Sequence, residues 1–118
     1  MVWRRLLGAS CDVVGSVRDG RALFEAAIEL EPDVIVVDLA MPGMNGLDAC
    51  RSIKSALPGI KIVLVTAGGD EHIARAAFRA GASAFVLKYA AAQDLVIAVQ
   101  RALLGDTFCR PAVKTKSR

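Results

Sequence analysis

Val34-Ile35-Val36-Val37-Asp38, continued by Leu39-Ala40-Met41-Pro42-Gly43-Met44-Asn45-Gly46, is the stretch that decides the fold. Four consecutive apolar, β-branched residues describe a strand covered on both faces, as in a parallel sheet. The first carboxylate after such a strand, Asp38, sits at its carboxyl end. In open α/β sheets that edge is where ligands bind.

The same alternation extends outward in both directions. Upstream, Asp12 to Val17 reads as a short strand. Leu23, Ala26, Ala27 and Leu30 share one face of a helix that stops before Pro32. Downstream, Leu47, Cys50, Ile53 and Leu57 stripe a second helix, ended by Pro58-Gly59, and Lys61 to Val65 is a buried strand closing on Thr66. Ile73, Ala76, Ala77 and Ala80 mark a third helix with Gly81 as its C-cap. Ala84 to Leu87 is a short strand, and Leu95, Ala98, Val99 and Ala102 mark a last helix within 93–104, ended by Gly105. Strand and helix repeated four times predict an α/β fold, a parallel sheet with helices on both faces.

Composition agrees with one small domain over residues 1–109, followed by a basic tail or the start of a linker over 110–118. The 118 residues are 54% apolar and can bury a core without a second domain. No apolar run approaches the roughly 18 residues of a membrane span, and Met1 to Leu7 is too short and too basic for a signal peptide. The expectation is a cytoplasmic protein with no membrane partner. Cys11, Cys50 and Cys109 are odd in number and widely spaced, which predicts reduced, structural thiols. The net charge of +3 suggests nucleic-acid binding until it is divided along the chain. Arg110, Lys114, Lys116 and Arg118 take 4 of the 15 basic groups, leaving 11 basic against 12 acidic in the rest. The basic character belongs to the tail.

Asp38, Thr66 and Lys88 each fall at the carboxyl end of a successive predicted strand, so a parallel sheet gathers all three along one edge. A carboxylate, a hydroxyl and an ammonium there suit chemistry on an anion. The carboxylate can attack phosphorus while the other two hydrogen-bond and neutralise the phosphoryl oxygens. Singly, each residue also fits a bland role: a loop cap, β propensity, a solvated amine. Their joint placement on three strands carries the argument. A hydrolase working through Asp38 is disfavoured because no second acid or base accompanies it, so the chain is not expected to be an enzyme.

The stretch from Pro32 to Gly46 resembles the phosphoacceptor segment of bacterial response-regulator receiver domains, and so do Val63-Leu64-Val65-Thr66-Ala67 and Ala80 to Lys88. Gly81-Ala82 to Lys88 and Leu104-Gly105-Asp106-Thr107-Phe108 are similar to the subgroup whose receiver precedes a helix-turn-helix output domain. The resemblance implies a flavodoxin-like fold and phosphorylation of Asp38 by a histidine kinase or a small phosphodonor. It further implies contact of Thr66 and Lys88 with the phosphoryl group and a switch in which Thr66 and the aromatic Phe85 move together. Mg²⁺ would be held partly by Asp38 and the backbone carbonyl of Ala40. The switch would bias a surface built from the helix at 70–80, the strand at 84–87 and the helix at 93–104. DNA would be reached only through an output domain that is not part of this sequence.

The departure from the pattern lies at the start. A complete receiver opens with a buried strand ending in two adjacent acids that share the Mg²⁺, and nothing before Asp12 provides either feature. Val2-Trp3-Arg4-Arg5-Leu6-Leu7 resembles the later part of the first helix instead. Mg²⁺ wants near-octahedral oxygen coordination at about 2.0 to 2.1 Å, so its binding is expected to be weakened or absent. Phosphoryl transfer then faces more repulsion. Lacking the first strand, the 12–17 strand is expected to close up beside 34–39, to borrow pairing from a second chain, or to be poorly ordered. A start placed too late in a normal gene and a natural degenerate receiver both explain this; intact Asp38, Thr66, Lys88 and Phe85 favour the first. The alternative function is a phosphorylation-independent interaction module.

Other features keep ordinary readings. His72 is a solvated residue at a helix start, and Gly68-Gly69 is a flexible loop without the Walker continuation. Val96, Ile97, Leu103 and Leu104, off the main stripe of the last helix, either form a homodimer patch or complete the packing. Tyr89 has no assigned role.

Overall fold

Strands and helices alternate as their apolar periods require in the computed structural model, which describes residues 20–39, 46–68 and 71–109. In order these are α1 (Gly20–Leu30), β1 (Val34–Asp38), α2 (Gly46–Ala56), β2 (Lys61–Thr66), α3 (Glu71–Arg79), β3 (Ala84–Leu87), a 3-10 turn (Lys88–Ala90), α4 (Ala91–Leu103) and β4 (Phe108–Cys109). The four strands lie side by side in the order β1-β2-β3-β4, all parallel. The expected strand at 12–17, the Ala40 carbonyl and the basic tail fall outside the described residues.

Alternating strand residues divide the interior into two layers, because successive side chains point to opposite faces. Ile35, Val37, Ile62, Leu64, Phe85 and Leu87 face α1, α2 and α3. Val63, Val65, Ala84 and Val86 face α4, where they meet Leu95, Ala98, Val99 and Ala102. β2 and β3 are thus covered on both sides, each large side chain contributing about 1.5 to 3 kcal/mol by its burial. β1 departs from the expectation of full two-sided cover. Ile35 and Val37 are buried, but Val34 and Val36 on the α4 side are half-buried, since α4 lies mainly over β2 and β3.

Two glycines end helices by the same device. Gly81 and Gly105 take φ of 109° and 88°, a left-handed backbone that costs glycine little. Each closes a Schellman motif: Gly81 N–H donates to the Phe78 carbonyl and Ala82 N–H to that of Ala77, while Gly105 and Asp106 donate to Ala102 and Arg101.

The end of the domain carries one element that no apolar pattern announced: Phe108 and Cys109 form β4, in parallel register with Ala84 and Phe85 of β3. The physical reason is an open strand edge on β3, beside which the turn at Gly105 lays the chain. The last helix also starts earlier than read, at Ala91, because the 3-10 turn at Lys88–Ala90 runs directly into it. Of the off-stripe residues, Val96 packs against the α4 layer, whereas Leu103 and Leu104 are exposed.

Candidate functional site

Asp38 ends β1, Thr66 ends β2, and Lys88 follows directly on β3. The register pairs Asp38 with Val65 and Thr66 with Leu87, so all three residues stand at one edge of the sheet. The strand order puts β2 between the other two. Lys88 therefore reaches across the end of β2, and its Nζ lies 2.7 Å from Asp38 Oδ2. Both side chains keep partial contact with solvent. An incoming anion can reach the carboxylate, and the ammonium stands where added negative charge would collect.

Thr66 occupies the same edge but is turned to its own loop. Its hydroxyl donates to the Gly68 carbonyl at 2.8 Å. The residue is buried, so bonding an oxygen on Asp38 requires giving up this local bond. Phe85 lies deeper, almost fully buried in the layer under α1, α2 and α3 and opposite Leu64.

Two contributors were not legible beforehand. Gly46, at the start of α2, is buried against the backbone that carries Asp38. Its N–H donates to the Leu39 carbonyl at 2.8 Å, and a Cβ at this position would stand 2.6 Å from Leu39 Cα. The only sequence signal was its place eight residues after Asp38, at the end of the loop. The Gly68 carbonyl, which holds the Thr66 hydroxyl, had no signal, because a backbone acceptor leaves no mark on residue identity. Cys50 belongs to the scaffold. It is fully buried, its Sγ lies 3.3 Å from the Ala80 carbonyl, and burial pushes its thiol up to about 11.

A profile of the response regulator receiver domain matches residues 1–100. This chain belongs to that family. Receivers are signalling domains and not enzymes, and they ordinarily bind Mg²⁺. The receiver is 36% identical over 100 residues to the transcriptional regulatory protein LnrK of Bacillus subtilis, covering 85% of this chain and 46% of that protein. It is 35% identical over 107 residues to the response regulator VraR of Staphylococcus aureus, covering 91% of this chain and 51% of VraR. The chain thus spans about half the length of the curated relatives it matches. Among solved structures, a LuxR-family two-component response regulator from Aurantimonas superimposes with a TM-score of 0.89 at 31% identity, over 93% of this chain and 80% of that one. The receiver of the putative response regulator NarL from Mycobacterium tuberculosis gives 0.82 at 31%, over 88% and 86%. These matches bear out the flavodoxin-like receiver fold.

Among the described residues, no group of three or more His, Cys, Asp or Glu is placed to hold a metal ion. Asp38 supplies one carboxylate at this edge, in contact with the Lys88 ammonium. No helix among the described residues is long and apolar enough to cross a membrane.

Proposed function

We propose that this receiver is the phosphoacceptor of a two-component response regulator, taking a phosphoryl group on Asp38 from a histidine kinase and passing the change to transcriptional control. The observation that carries the reading is the 2.7 Å approach of Lys88 Nζ to Asp38 across the end of β2. In the transfer, a carboxylate oxygen of Asp38 attacks phosphorus and an O–P bond forms. The P–N bond of the phosphohistidine breaks, and the imidazole leaves with its electron pair. Lys88 already stands where the extra charge arrives and offsets it without reorganising. Thr66 exchanges its bond to the Gly68 carbonyl for one to a phosphoryl oxygen, pulling on the turn after β2. Phe85 is the aromatic that answers, two residues before Leu87, the register partner of Thr66.

Asp38 and the Ala40 carbonyl are the oxygen ligands proposed for Mg²⁺, and binding by these two alone is weak. The receiver occupies residues 1–109 and works in the cytoplasm. DNA contact belongs to an output domain, in the part of such regulators that this chain does not match, and exposed Leu103 and Leu104 suit a homodimer. The phosphorylation-independent alternative draws no support from the matches. Incubation with acetyl phosphate and Mg²⁺ should add the mass of one phosphoryl group to the chain, and Asp38→Asn should gain none. No gain in the wild-type chain, or the same gain in Asp38→Asn, would refute the reading.

A further inference from the structure

The chain leaves α4 through the turn at Gly105 and runs back along the open edge of β3. The segment in register there is short. β4 has two residues, both half-buried, and Phe108 N–H donates to the Ser83 carbonyl at 3.1 Å. Short, partly buried edge elements open at low cost, well before the domain unfolds. The hold is nevertheless placed with care on both faces of the sheet. Phe108 packs against the layer under α4, and Cys109 packs against the layer that buries Phe85, its register partner. β3 is only four residues long, and the residue that follows it is Lys88, in contact with Asp38. One short strand therefore carries the docking site at its beginning and the charge site at its end.

We propose that Phe108–Cys109 is a detachable docking strand whose attachment to β3 is coupled along that strand to the Asp38–Lys88 pair. The charge on Asp38 sets how firmly the chain beyond α4 is held. A phosphoryl group makes the acceptor more negative, strengthens its pull on Lys88, fixes the end of β3 and tightens the docked strand. Loss of the Lys88 ammonium frees the end of β3 and loosens it. The first effect rests on the proposed phosphorylation of Asp38, whereas the second does not.

Pulse alkylation with iodoacetamide, read site by site from peptide masses on the full 118-residue chain, reports the docking through Cys109. Buried Cys50 is the internal control for global unfolding. After acetyl phosphate treatment, with phosphoryl occupancy read from intact mass, Cys109 should label at least about threefold more slowly than in the untreated chain. Lys88→Met should label at least about threefold faster while Cys50 stays protected, and its exposed position leaves the core intact. An unchanged Cys109 rate in a phosphorylated sample, or in Lys88→Met, overturns the coupling. If Asp38 takes no phosphoryl group, the proposed function fails, and the Lys88→Met comparison still decides the coupling by itself.

Discussion

Replacing Gly46 by alanine should be among the most damaging single-methyl changes available in this receiver. The added Cβ would stand 2.6 Å from Leu39 Cα, 3.0 Å from the Asp38 carbonyl oxygen and 3.2 Å from that of Leu39. Ordinary carbon contacts are about 3.5 to 4.0 Å, and all three neighbours are backbone atoms that cannot rotate aside. The first turn of α2 must therefore retreat from the strand end that carries Asp38. Overpacking of this kind costs about 1 to 3 kcal/mol. The retreat also strains the 2.8 Å bond from Gly46 N–H to the Leu39 carbonyl, a further loss of about 1 kcal/mol. The sum is about 2 to 4 kcal/mol, against which the better helix propensity of alanine returns little at a helix start. For a domain of this size each kcal/mol lowers Tm by about 4 °C, so the loss should be about 8 to 16 °C by far-UV circular dichroism. Gly59→Ala and Gly68→Ala meet nothing within 4 Å and should stay within about 1 kcal/mol of the parent. Equal stability of Gly46→Ala and Gly59→Ala would refute the reasoning, and an unchanged rate of Asp38 phosphorylation in Gly46→Ala would detach this glycine from the site.

Cys50 gives a pH dependence with a definite sign. Burial raises its thiol from the ordinary 9.0 to about 11, outweighing the opposing pull of Lys54 and Arg51. The folded state therefore keeps the proton more tightly than the unfolded chain. This contribution is complete below about pH 9 and is lost as pH rises toward 11, by roughly 2 to 3 kcal/mol. Urea midpoints for wild type and Cys50→Ala should diverge in slope over that interval, and parallel curves would contradict the assignment. Glu31 holds a φ of 45° at the end of α1, so Glu31→Gly should stabilise the fold by about 0.5 to 1 kcal/mol in the same titration. Destabilisation by that change would count against the strain. Leu95 of α4 is fully buried under the sheet, whereas Leu104, the residue capping the end of that helix, is exposed. Leu95→Ala should cost about 2 to 5 kcal/mol, while Leu104→Ser should shift the unfolding midpoint by less than about 0.5 kcal/mol.

Much of this receiver was determined by the sequence alone, because the signals involved are local. The β-branched run at 34–37 marks a strand by its composition. Helix faces at 23–30, 47–57, 73–80 and 95–102 mark themselves by period, and Gly81 and Gly105 punctuate helix ends wherever the rest of the chain lies. A parallel sheet then obliges Asp38, Thr66 and Lys88 to share an edge, since each ends a strand running the same way. Tertiary structure alone decided what those residues touch. Whether Lys88 spans β2 to reach Asp38, and whether Thr66 bonds its own loop, depends on side-chain reach across neighbouring strands, which no periodicity encodes. The closeness of Gly46 to Leu39 depends on where α2 settles. β4 is the plainest case. Phe108 and Cys109 are too few to show an alternation, and they become a strand only because the edge of β3 offers backbone partners beside the turn that ends α4. Pairing energy of that kind resides in the partner, so it is invisible in the segment that receives it.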